Sequence, residues 1–282
     1  MELAFLIVDG YPPDARQHFD ACSCDQAWQQ YARMLKSHLP EARFDVLFPS
    51  DPDACLPQGA ALSSYRGVLW TGCNLTIYED DPRVRRMIEL QKEIYRAGVP
   101  AYGSCWGLQI AAVAAGGEVA KNPKGREMGL ARKIMLTEEG RHHPFHRGKP
   151  QVFDAFISHY DEVTRLPSGA KWLATNDFTR VQAAAITHEK GTFWAVQYHP
   201  EYDLHDMARL IYARTDRLVK EGFFQSSTEL QDYVDKLEQL HREPSRKDLR
   251  WQLGIDDDVI DAKRRQIEFH NWLFELVLAR RA

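Results

Sequence analysis

The chemistry of this chain starts from a cysteine held between two glycines. Gly103-Ser104-Cys105-Trp106-Gly107-Leu108-Gln109 follows Ala97-Gly98-Val99-Pro100-Ala101-Tyr102, a run suited to the end of a buried strand. It leads into the Ala-rich stretch 108–115, suited to a helix. At so tight a strand-to-helix corner flanking side chains would clash, so glycine on both sides gives the layout of a nucleophile elbow. Cys105 would stand at the positive end of a helix dipole, which favours thiolate over thiol. Alone, the stretch fits equally well an ordinary strand–turn–helix in which Cys105 is a small buried hydrophobe.

A thiol nucleophile needs a base within hydrogen-bond reach, and the base needs a third group to orient it. Val196-Gln197-Tyr198-His199-Pro200-Glu201 supplies both types. Pro200 stops a strand and stiffens the turn, so His199 and Glu201 can lie side by side, the carboxylate fixing the ring tautomer that takes the thiol proton. By itself, His-Pro-Glu also fits a plain surface turn. His142, His143 and His146 lie in a basic, loop-like stretch and read as solvated. Attack on a carbonyl requires donors for the developing oxyanion. The backbone N–H of Trp106 is one candidate. Another comes from the Thr71-Gly72-Cys73 turn, where Gly72 permits close approach and Cys73 contributes its amide rather than its thiol. Cys22-Ser23-Cys24 has the wrong spacing for a zinc knuckle and reads as two free thiols. No metal site is expected.

The elements that must position these residues follow from periodicity. Continuous apolar runs at 3–8, 44–48 and 67–71 suit strands covered on both faces. Tyr11-Pro12-Pro13-Asp14 breaks regular structure, and helical spacing runs from Trp28 to Leu39. A second helix starts at Asp81-Pro82, an N-cap followed by proline at the first helical position. This alternation predicts a doubly wound α/β fold with a mostly parallel sheet, whose binding site lies beyond the carboxyl ends of the strands. From Glu118 onward short strands separated by turns predict a smaller antiparallel part. A helix is expected over 204–219. Beyond it the stretches 230–241 and 262–279 read as amphipathic helices, with Leu249, Trp251 and Leu253 as apolar anchors between them. This C-terminal extension is expected to pack on the main domain.

Composition narrows the function classes. The chain has 282 residues, 44% hydrophobic and 27% charged, as in a globular protein with a substantial core. A net charge of −4 without a basic stripe argues against a nucleic-acid partner. No apolar run approaches a membrane span and no basic signal-peptide head precedes the first strand, so a cytoplasmic location is expected. Five cysteines, an odd number, argue against a disulfide framework.

The glycine-flanked Cys105 with Gln109 four residues on, followed far downstream by Gln197-Tyr198-His199-Pro200-Glu201, resembles the class I glutamine amidotransferase family. The resemblance covers roughly residues 3–219. Within it, Thr71-Gly72-Cys73-Asn74, Lys124-Gly125-Arg126-Glu127-Met128-Gly129 and Ser158-His159-Tyr160-Asp161-Glu162-Val163 sit where stand-alone, GMP-synthase-like members have similar segments. The resemblance implies a flavodoxin-like amidotransferase domain over 1–219, which the helical extension read from the pattern follows over 220–282. It implies a Cys105–His199–Glu201 triad that hydrolyses the amide of glutamine or another γ-glutamyl compound through a γ-glutamyl thioester. It further implies an oxyanion hole from the Cys73 and Trp106 amides, substrate contacts at Gln109 and Gly72, and no cofactor. Where the family has Gly-Gly-Pro, this chain has Gly72-Cys73-Asn74, and no synthetase domain is expected after Val219. Ammonia would therefore be released or passed to a separate synthetase subunit. A non-catalytic binding protein on the same fold is the third reading. The loops expected to select the substrate are 11–14, 76–80 and 141–150; the oligomeric state is left open.

Overall fold

The first strands form where apolar runs meet cover on both faces. Ala4–Val8 (β1), Gly67–Trp70 (β3) and Ala101–Ser104 (β4) are buried almost throughout. The structure is a computed structural model that describes residues 3–279. The chain begins with β1, α1 (Pro13–Ala21), α2 (Ala27–His38), β2 (Arg43–Leu47), β3, α3 (Pro82–Ala97), β4 and α4 (Trp106–Ala114). It continues through β5 (Glu118–Lys121), β6 (Glu127–Leu136), α5 (Glu138–His142), β7 (Val152–His159), β8 (Asp161–Arg165), β9 (Lys171–Thr175), β10 (Ala183–His188) and β11 (Gly191–Val196). The last part is helical: α6 (Leu204–Ala213), α7 (Thr215–Lys220), α8 (Ser227–Arg242), α9 (Lys247–Leu253), α10 (Asp257–Ile260), α11 (Ala262–Arg265), α12 (Ile267–Asn271) and a π-helical turn, Trp272–Leu278.

Among the described residues one nine-stranded sheet runs in the order β2-β1-β3-β4-β11-β10-β9-β6-β7. The five strands β2, β1, β3, β4 and β11 are mutually parallel. From β11 outward every neighbour is antiparallel. The expectation of a mostly parallel sheet is therefore corrected: the antiparallel strands continue the main sheet, making it mixed. The hairpin-linked strands β10 and β11 need no helical crossover, so the direction reverses there. A separate antiparallel pair, β5 and β8, escaped the sequence reading because both strands are short and mostly polar.

Two cores lie on opposite faces of the parallel strands. Alternation along β1 sends Phe5 and Ile7 to one face and Leu6 and Val8 to the other. The first face packs against Tyr31, Met34 and Leu35 of α2 together with Phe269, Trp272, Leu273 and Val277 of the C-terminal segment. The second packs against α3 and α4 through Val84, Met87, Ile94, Leu108 and Ile110. A third cluster joins α1, α6, α8 and α9.

Several local expectations are corrected. Pro12-Pro13 starts α1 rather than breaking the chain, because proline at the first helical position lacks only an N–H that has no helical acceptor there. The helix over 204–219 breaks at Arg214 (φ −113°, ψ 20°), where Thr215 Oγ1 donates to the Tyr212 carbonyl. The stretch 262–279 is broken as well; its π-turn places Trp272 and Val277, five residues apart, in the same core. Trp251 is 85% exposed and anchors nothing, whereas Leu249 and Leu253 are buried. His143 and His146 are buried and not solvated, their rings packed against Trp194 and Phe145. Burial, with help from Lys149 and His143, pushes the His146 imidazole well below its usual range.

Candidate active site

Cys105 stands at the corner between β4 and α4, with φ 52° and ψ −101°. Only four non-glycine residues among those described have positive φ, so the corner is strained where the sequence placed an elbow. Its N–H donates to the Val196 carbonyl at 2.8 Å, tying the corner to the end of β11. The glycine before it is needed for close approach: a Cβ on Gly103 would fall 2.9 Å from both the Trp70 carbonyl oxygen and the Gly107 Cα. The thiol is buried and reaches the Ser158 carbonyl at 3.7 Å.

The neighbouring strand brings His199. The turn after β11 holds His199 by its own N–H, which donates to the Phe156 carbonyl at 2.8 Å. Its ring stacks on Tyr202, centroids 4.1 Å apart and planes 2° from parallel. Nδ1 donates to Glu201 Oε1 at 2.7 Å, and the same oxygen accepts from Ser104 Oγ at 2.7 Å. Ser104 in turn accepts from the Tyr31 hydroxyl at 2.7 Å. Ser104, the residue before Cys105, thus fixes the Glu201 carboxylate. Nε2 is buried without a well-aligned partner, and Cys105 is near enough to act on the ring electrostatically. Desolvation opposes the charged imidazolium, yet Glu201 and then Cys105 outweigh it, raising His199 to about 9.

Cys105 and His199 open into a cavity of about 300 Å³. Cys73 and Gln109 line it as well. Gln109 Nε2 donates to the Asp161 carbonyl at 2.9 Å. A Cβ on Gly72 would come within 3.5 Å of His199 Cε1, so this turn lies directly beside that ring. Cys73 Sγ donates to the Gly10 carbonyl at 3.2 Å, and burial pushes its thiol pKa well up. Trp106 is the first residue of α4, its indole fully buried. The residues singled out in the sequence therefore gather around one cavity or its immediate wall. Of the three candidate substrate loops, 11–14 and 76–80 contribute Tyr11, Thr76 and Tyr78 to the lining; 141–150 contributes nothing.

Other residues of the site were missed. Lys121, Arg126, Arg214 and Arg217 line the cavity, with Arg126 and Arg217 over the Tyr160 ring at 3.9 and 4.9 Å. Both also bond Glu221, at 2.9 and 3.0 Å. Behind the cavity, Glu127 accepts from His159, Asn176, Thr179 and Gln182, fixing β6 against β7. The C-terminal segment grips the His199 turn from both sides. Glu268 accepts from the Tyr198 hydroxyl and pairs with Lys149 at 2.9 Å, all three buried. Arg265 donates to the Pro200 carbonyl at 3.3 Å. Charged positions in a polar-looking tail carry no periodic signal, and only the fold shows that they are buried. Among the described residues no cluster of His, Cys, Asp or Glu is suited to a metal ion, and no helix is long and apolar enough to cross a membrane.

The chain is similar to several known proteins. Residues 62–215 match the family described as glutamine amidotransferase class-I. The chain is 35% identical over 284 residues to a γ-glutamyl-L-1-hydroxyisopropylamide hydrolase from a Pseudomonas species, covering 98% of this chain and 94% of that protein. It is 34% identical over 178 residues to a glutamine-hydrolysing GMP synthase from Nitrosomonas eutropha, covering 61% of this chain but only 32% of that protein. Among solved structures, a glutamine amidotransferase from Thermotoga maritima superposes with a TM-score of 0.66 at 20% identity, covering 96% of this chain and 99% of that one. One from Methylobacillus flagellatus gives 0.66 at 19% identity, covering 97% and 95%. A full-length fold match and a family match that includes the cysteine corner lead to one statement: the chain belongs to the class I glutamine amidotransferase family and carries the glutamine-amide hydrolysis typical of it.

Proposed function

We propose that this protein hydrolyses the side-chain amide of glutamine or of another γ-glutamyl compound through a γ-glutamyl thioester on Cys105. The observation that carries the reading is the strained, buried Cys105 beside a His199 whose far nitrogen is held by Glu201 at 2.7 Å. The Cys105 thiolate attacks the amide carbon, and the backbone amides of Cys73 and Trp106 receive the oxyanion. The His199 imidazolium gives its Nε2 proton to the leaving nitrogen, and the amine or ammonia departs. Water then gives a proton to His199 and attacks the thioester; the thiolate leaves and glutamate is released. Gln109 and Gly72 flank the substrate, and no cofactor takes part. The amidotransferase chemistry belongs to residues 1–219, and the helical extension that begins at residue 220 packs against them. A cytoplasmic location goes with this reading.

A substituted amide is favoured over glutamine itself by the near full-length likeness to a γ-glutamyl-L-1-hydroxyisopropylamide hydrolase. Steady-state assays on glutamine and a panel of γ-glutamyl N-alkyl amides test this, with glutamate as the common product. Absence of turnover on the whole panel, or turnover that survives Cys105→Ala, refutes it. The likeness to part of GMP synthases supports a second reading, a glutaminase subunit that delivers ammonia to a synthetase. Co-purification of a stoichiometric partner that stimulates glutamine hydrolysis is its test.

A further inference from the structure

We infer that Arg214 is the anchor for the α-carboxylate of the γ-glutamyl group, so that the site selects amides of α-amino acids over simple carboxamides. The inference rests on the γ-glutamyl reading above. Its first support is position. Arg214 occupies the break between α6 and α7, and its guanidinium donates to the Ser158 hydroxyl, while the Cys105 thiol lies 3.7 Å from the carbonyl of that same residue. In a γ-glutamyl thioester the α-carboxylate sits about 5 Å beyond the acyl carbon, four carbon–carbon bonds away. One serine is a span of that order.

Charge is the second support. Lys121, Arg126, Arg214 and Arg217 line the cavity, and Asp161 is the only acidic residue in the lining. Glu221 bonds both Arg126 and Arg217, leaving Arg214 without a carboxylate partner among the described residues. Asp161 accepts from the Tyr78 hydroxyl at 3.0 Å, and in this proposal its carboxylate meets the α-ammonium of the same substrate. Two guanidinium groups near one another repel, and Arg214 lowers the pKa of Arg126, second only to burial. A carboxylate bound at Arg214 relieves that repulsion with charge-assisted hydrogen bonds.

The test pairs two probes that differ only in the carboxylate, L-γ-glutamyl ethylamide and 4-aminobutyryl ethylamide. The wild-type chain should prefer the first by about 100-fold in kcat/KM, the worth of a charge-assisted pair. Arg214→Gln should cut kcat/KM on the γ-glutamyl probe by about 100-fold, chiefly through KM, and collapse the preference between the probes. Arg214→Lys should restore part of it, since the charge returns without the planar fork. Equal losses on both probes, or a preference that survives Arg214→Gln, would overturn the anchor while leaving γ-glutamyl hydrolysis intact. If the wild type turns over neither probe nor glutamine, the γ-glutamyl reading fails and the anchor fails with it.

Discussion

At the scale of single residues, the site sets a strained Cys105 beside a His199 held charged. Replacing Cys105 by alanine removes the proposed nucleophile but little packing. Glutamate release should fall by about 10⁴-fold or more, with the melting temperature close to that of the wild type. His199 gives a pH prediction. Its folded-state value of about 9 lies above the ordinary 6.5, so the imidazolium stabilises the native state fully below pH 6.5. That contribution, about 3 kcal/mol, is lost as pH rises from 6.5 through about 9. Denaturant titrations across this range should show the decline, and His199→Asn should flatten it.

At the scale of elements, the β4–α4 corner and the β11 turn have to meet within hydrogen-bond distance, and small residues and buried charges enforce this. Gly103→Ala drives a methyl into the Trp70 backbone and should cost about 2 kcal/mol, measured by urea denaturation. Glu268 holds the turn through Tyr198 and neutralises Lys149. Glu268→Ala strands a buried ammonium and should destabilise by about 3–5 kcal/mol. The double substitution Glu268→Leu with Lys149→Met should recover most of the stability, yet still lower kcat because Tyr198 loses its acceptor. Recovery of both stability and kcat would show that the clamp does not position His199.

At the scale of the whole molecule, the C-terminal segment is part of the central core. Phe269, Trp272, Leu273 and Val277 are buried with Phe5, Ile7 and Tyr102. Four large side chains contribute about 1.5–3 kcal/mol each, together comparable to the net stability of an ordinary domain. A chain ending at residue 219 should therefore lose its cooperative thermal transition, checked by calorimetry. The cysteine corner, the His199–Glu201 pair and the first four sheet strands were legible in the sequence, because each depends on local rules: glycine at a crowded corner, proline after a strand, continuous apolar runs. The reach of the antiparallel strands into the main sheet was not, since edge-to-edge pairing is set by hairpin geometry far from the apolar pattern. Nor were buried His143 and His146, the Arg214 break or the Glu268–Lys149 pair, for polar residues carry no signal of burial until neighbours from distant segments enclose them. By itself the sequence determined the family, through the glycine-flanked Cys105 and the distant His199-Pro200-Glu201 taken together. The tertiary structure alone decided which charges face the cavity and what holds His199 in place. Coulombic and hydrogen-bond energies depend on distances between segments that chain order does not contain.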